Sequence, residues 1–292
     1  VVTIKIICKN QIEEEITFAH RFPYWLENTE GLFSASSDVI TVKNSLAYGE
    51  IFSGISTNRR NIVIMAKIRG DYKMARDKLE RMFAPRLTGT LTCYIDNYHR
   101  KIDYIAENFE ITNRGKVRTI SISLICPDPQ FRGETIYYYR YETIGLIHFP
   151  IYVGKQYQVA NYRFKELINI VNDTTSEQGL IFRITARHND IALNFCPEIA
   201  NVNTGEHIKL DTMKLEHGLI VGQYIEVSTS FGNKYIDVIR GNERTRLNSM
   251  WQLDNTWIQA HKGDNVFRLS AQHVKEYDLN LTIIYTPTYW RC

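Results

Sequence analysis

Residues 60–70 read RNIVIMAKIRG and residues 71–85 read DYKMARDKLERMFAP, and this stretch decides the fold. The first part is a β-run. In the second, Tyr72, Ala75, Leu79, Met82 and Phe83 fall within roughly 100° on a 3.6-residue wheel, while Lys73, Asp77, Glu80 and Arg81 fall outside it. Asp71 is placed to cap the N-terminus of this helix, and Pro85 prevents its continuing. No comparable helix signal recurs, so a single amphipathic helix covers one face of a sheet in a chain that is otherwise strands and turns.

Working outward, TLTCYID and KIDYIAE flank the turn Asn97-Tyr98-His99-Arg100, and FEIT and RTISISLI flank Asn113-Arg114-Gly115. These read as two hairpins in series, and the alternation of Ile120, Ile122 and Leu124 with Ser121 and Ser123 gives the last strand one buried face. Upstream, Val1–Ile7 and the residues Ile12, Ile16 and Phe18 form an opening hairpin around Glu13-Glu14-Glu15, followed by short strands over Phe33–Val42 and Ile51–Ile55. Downstream, Pro127-Asp128-Pro129 ends strand pairing and introduces a tyrosine-rich passage. We therefore expect a mainly β, two-domain protein, with an N-terminal β-sandwich plus helix over residues 1–132, a linker over 133–144 and a C-terminal β-sandwich over 145–292. Short strands separated by turns such as Asn203-Thr204-Gly205 and Gly263-Asp264-Asn265 point to that second sandwich. Arg163–Val171 is read as one of its strands, with a hairpin loop leading into LIFRITA.

At 292 residues the chain is long enough for two cores. The net charge of +3 is too small to suggest sequence-specific nucleic-acid binding. The five cysteines are odd in number, far apart and without a CxxC pair, so they read as reduced, mostly buried thiols rather than zinc ligands. No run approaches the ~20 apolar residues of a membrane span, and the N-terminus reads as a strand rather than a signal peptide.

Catalytic motifs of the GxSxG, HExxH, GxxxxGK[ST] and GxGxxG types do not occur, and Gly241-Asn242-Glu243-Arg244 lacks what a phosphate loop requires. Four weak constellations invite chemistry. Asp96 and Asp103 could face each other across a hairpin as glycosidase carboxylates do, but lack a sugar cleft. His207 and His217 could meet across a hairpin, although turn histidines explain them. The Glu13–Glu15 carboxylates do not face one point and read as a solvated turn. Trp251, Trp257 and Trp290 could stack on sugars, but the apolar Leu253 and Ile258 beside the first two favour packing beneath a sheet edge. No catalytic, cofactor or metal residue is assigned.

Taken together, RNIVIMAKIRGDYKMARDKLERMFAP and LICPDPQF in the first half, with ALNFCPEIANVNTGEHIKL, LIVGQYIEVSTSFGNKYIDVI and LDNTWIQAHKGDNVFRLSA in the second, resemble the distal tail protein family of tailed bacteriophages and prophage tail particles. GLIHFPIYV looks like that family's usual passage into the second domain. The resemblance implies a structural virion protein of the tail tip or baseplate, assembled in the host cytoplasm. It implies an N-terminal domain that builds a homo-oligomeric ring, expected as a hexamer, and a galectin-like C-terminal sandwich pointing outward. The implied partners are the tail tube protein, the tail-tip protein and receptor-binding proteins. The alternative is a carbohydrate-binding adhesin of the host surface.

Overall fold

The computed structural model of the protein describes residues 4–43, 48–114, 117–145, 160–187, 191–275 and 278–292. Most of GLIHFPIYV, and Gly115 of the second expected turn, lie outside them. The chain divides into two compact units, Val1–Glu134 with Thr288–Cys292, and Thr135–Pro287.

In the first unit, strands β1 (Ile4–Asn10), β2 (Glu15–Phe18), β3 (Tyr24–Glu30), β4 (Ser37–Lys43), β5 (Glu50–Thr57) and β6 (Arg60–Ile68) precede helix α1 (Tyr72–Met82). Strands β7 (Thr88–Ile95), β8 (Tyr98–Arg114), β9 (Val117–Cys126) and β10 (Phe131–Arg132) follow it. The opening hairpin forms as the sequence indicates, with β1 antiparallel to β2. The helix begins where Asp71 accepts the Met74 backbone N–H at 3.2 Å, and it buries Ala75, Leu79 and Met82, with Phe83 just beyond its end. Burying each large side chain contributes about 1.5–3 kcal/mol, so packing rather than propensity holds these three turns in place.

Two expectations are corrected. KIDYIAE and FEIT are not separate strands but one continuous β8, bent by a bulge between Ala106 and Asn108, so the two hairpins become a three-stranded meander. The first turn is also tighter than expected, because Ile95 pairs with Tyr98 and only Asp96 and Asn97 lie between, Asp96 at φ +48°. The main sheet runs β2-β1-β7-β8-β9-β6-β3. Its two edges approach each other where Ala19 bridges Trp25. The opening strands and hairpins, apart from β2, are therefore paired on both sides.

The second unit contains β11 (Ile136–Tyr139), β12 (Tyr141–Gly145), β13 (Ala160–Phe164), β14 (Leu167–Asn172), β15 (Leu180–Ala186), β16 (Glu198–Asn201), β17 (His207–Lys209), β18 (Tyr224–Ser228), β19 (Tyr235–Arg240), β20 (Glu243–Arg246), β21 (Gly263–Ser270) and β22 (Leu279–Tyr285). A sheet ordered β11-β22-β15-β18-β19-β20 and a second ordered β14-β21-β16-β17 share one apolar core, with Phe182 edge-on to Phe267 at 5.6 Å. The expected linker is part of this architecture, since β11 pairs along β22. Arg163–Val171 is likewise two strands, because Lys165 and Glu166 separate β13, which pairs β12, from β14, which pairs β21.

The chain then returns to the first unit as β23 (Thr288–Tyr289), antiparallel to β10. Arg60, 4% exposed, fastens that return. Its Nε donates to the Pro129 carbonyl at 2.8 Å, Nη1 to those of Gly31 at 2.5 Å and Ser34 at 2.8 Å, and Nη2 to that of Trp290 at 2.6 Å. The guanidinium also lies 5.0 Å from the centre of the Phe131 ring. Gly31 is obligatory in this cradle: its φ is +77°, and a Cβ there would collide with the Asn61 carbonyl. Cys93 and Cys292 form a disulfide, which corrects the expectation of five reduced thiols; a sequence separation of 199 hid the pair. Cys8 and Cys126 are buried free thiols, and burial pushes Cys126 up to about 12, leaving it unreactive.

Replacing Arg60 with Met leaves these carbonyls without their shared donor, a loss of roughly 1–3 kcal/mol. In urea, the transition of the first unit should move to lower denaturant while that of the second stays fixed. Lys at this position should rescue little, because one ammonium cannot span carbonyls that the planar fork reaches on both sides. A shift below about 1 kcal/mol would show that the carbonyls find other donors.

Candidate functional site

The residues with possible chemistry are not brought together. Asp103 lies opposite Thr90, accepts its hydroxyl at 2.9 Å and pairs with Arg132 at 2.6 Å, whereas Asp96 sits in the turn beyond the end of that ladder. His207 pairs with Asp254 at 3.5 Å, while His217 offers only its carbonyl, to Arg240. Glu13 and Glu14 diverge toward Lys9 and Arg81. Among the described residues no group of three or more His, Cys, Asp or Glu is placed to hold a metal ion. None of their helices is long and apolar enough to cross a membrane.

The tryptophans pack on each other. The Trp251 and Trp257 rings stack at 3.9 Å with 16° between their planes and rest against the second core, so each has one face occupied by the other. Trp290 serves through its carbonyl, as the acceptor for Arg60.

The sequence motifs of the second half turn out to be turn clamps. Thr229 accepts the Leu180 N–H through its hydroxyl at 2.9 Å. Asn265 accepts the His261 N–H at 2.9 Å and donates to the His261 carbonyl at 2.7 Å. The His261 ring then joins two carboxylates, Glu206 at 3.0 Å and Glu177 at 3.1 Å. Sequence reading also missed a cross-strand row in which Arg183, Glu226, Asp237 and Arg246 lie directly opposite one another on β15, β18, β19 and β20. Its two acids are buried side by side, and Arg244 holds them together by pairing with both. The row is internally satisfied and needs no ligand.

Both units expose apolar side chains, and on the first unit they gather on one hairpin. Strands β4 and β5 pair only with each other, and Val39, Ile40, Val42, Ile51, Phe52 and Ile55 are each at least half exposed. Register places Val39, Ile55 and Phe52 on one face and Ile40, Val42 and Ile51 on the other. The signal was present in VITV and IFSGI, which alternate without yielding a wholly polar face. A groove of about 590 Å³ lies elsewhere on the unit, floored by Phe22, Pro23 and Met74 and rimmed by Arg21, Arg69 and Lys78.

His261 gives a pH test. The hydrogen bond to Glu206 is the main cause that raises its pKa above 6.5, with both carboxylates adding to it. A group whose folded pKa is raised stabilises fully below its unfolded pKa and loses that contribution as pH rises through the folded value. The melting temperature of the second unit should therefore fall as pH rises from 6 to 8 in part because of this group, and His261→Gln should flatten that part of the profile. An unchanged slope would contradict the bridge.

No family profile and no curated protein matches the sequence. Solved structures do match. The chain is similar to the SPP1 Dit (gp 19.1) protein, described as a paradigm of the hub adsorption apparatus in phages infecting Gram-positive hosts, at 11% identity with a TM-score of 0.62, covering 97% of this chain and 99% of that one. A chain of the phage P2 baseplate in its activated conformation with Ca matches at 12% identity and a TM-score of 0.48, covering 98% of each chain. The same baseplate with Sr gives 12% identity and a TM-score of 0.46, covering 97% of this chain and 98% of that one. The protein thus shares the fold of the SPP1 Dit protein through both of its units.

Proposed function

We propose that this protein is a structural hub of the tail tip or baseplate in a tailed bacteriophage or prophage tail particle. In this reading the first unit closes a homo-oligomeric ring of six copies, joining the tail tube to the tail-tip protein. The second unit, a galectin-like sandwich, supports receptor-binding proteins. The observation that carries the proposal is the likeness to the SPP1 Dit fold along 97% of this chain and 99% of that one.

The chemistry of the site supports a structural role. The acids and histidines that could suggest hydrolysis are dispersed into local ion pairs. The adhesin alternative has less support, because Trp251 and Trp257 each lend a ring face to the other instead of to a sugar.

Light scattering on the full-length protein over a dilution series is the test. The account expects a species of six subunit masses that dissociates without passing through large aggregates. A single-subunit mass at every concentration, with the fold intact by circular dichroism, would contradict it.

A further inference from the structure

We infer that the β4–β5 hairpin of one copy docks into the Phe22–Met74 groove of the next copy, so that a second molecule of this chain is its occupant. The inference rests on the ring reading above and supplies its contact.

Elimination is the first step. An assembly contact needs free strand edges or uncovered apolar surface. Among the described residues, the sheet's strands with an open side are β2 and β3, whose ends meet through the Ala19–Trp25 bridge, and the two-residue β23, which pairs only β10. The hairpin keeps an open edge on each of its strands and apolar side chains on both faces. Six half-exposed side chains present on the order of 500 Å² in all, divided between the two faces, so that one face offers roughly 250 Å². One face is about a third of the ~800 Å² that each partner contributes to a standard interface, and the open strand edges and groove rim add to it.

Position supplies the second step. The hairpin departs after Glu30 and rejoins at Arg60, which is one end of the β3–β6 ladder. The groove lies at the other end, where Tyr24 pairs with Ile68 and Arg69 donates its N–H to the Pro23 carbonyl at 3.0 Å. The nine residues of β6 separate the two surfaces by about 30 Å. A projection at one end and a receptacle at the other make a heterologous, head-to-tail contact. Such contacts repeat from copy to copy and close into a ring when the rotation allows.

Charge agrees in sign. The hairpin carries Asp38, Lys43 and Glu50, an excess of one acid, while the groove sets Arg21, Arg69 and Lys78 against Glu15 and Asp71, an excess of one base. The floor is apolar and reachable, with Phe22 50% and Met74 72% exposed. An exposed strand can also add beside β2, whose Glu15 and Thr17 line the same groove.

The test uses full-length protein with one or two added thiols per copy. Ile51→Cys and Met74→Cys variants, each oxidised alone, should give no more cross-linked dimer than the parent, whereas a mixture of the two should cross-link efficiently. The Ile51→Cys/Met74→Cys double variant should give a ladder of oligomers. Val42→Asp, on the same face as Ile51, should abolish assembly while leaving the melting temperature unchanged, because that side chain lies outside the core. Cross-linking of Ile51→Cys with itself would overturn the head-to-tail contact in favour of a hairpin-to-hairpin one. An assembling parent whose mixed variants fail to cross-link would place the contact elsewhere, and a monomeric parent would fail the ring reading and the inference with it.

Discussion

The first unit depends on one buried guanidinium. Arg60 costs desolvation when it leaves water, and burial pushes its pKa down. That cost is offset because its planar fork meets backbone carbonyls at Gly31, Ser34, Pro129 and Trp290, which no single neighbouring strand could satisfy. These segments are the loop leading into the β4–β5 hairpin, the stretch before the chain leaves for the second unit, and the tail that comes back. A single side chain therefore fixes where the hairpin springs from and holds departing and returning strands side by side, with the Cys93–Cys292 disulfide closing the same return.

Local patterning made much of the fold readable. Asp71, the apolar stripe of α1 and Pro85 are signals acting within one or two turns, and the structure follows them. The opening hairpin and the strand after Asn113 are likewise set by alternation. What escaped was set at a distance. Nothing local marks Arg60 as different from Arg59, because its acceptors lie between 26 and 230 residues away. The same holds for Cys292 and for the linker residues that become β11, whose partner strand is Leu279–Tyr285. The merging of KIDYIAE with FEIT was missed because a bulge shifts the alternation, so a continuous strand looks like two.

The candidate site was less legible than the fold. Residues that chemistry draws attention to, Asp96, Asp103, His207 and His217, are not brought together. The informative surface was the one whose alternation failed to give a polar face. Val39, Phe52 and Ile55 stand opposite Ile40, Val42 and Ile51 across a hairpin that packs on no other strand. Apolar residues on both faces of an isolated hairpin are costly in water unless another surface covers them. In the inferred contact, covering by a second copy would turn that cost into a driving force for assembly.

Hydrogen exchange on assembled and diluted protein tests this account most directly, because it reports backbone protection without altering a residue. The account predicts that assembly slows exchange in residues 37–57 and in the groove segments around 15–25 and 69–78, with residues 135–287 unchanged. Protection gained in residues 135–287 while the hairpin continues to exchange freely would contradict it, and would move the ring contact to the other unit.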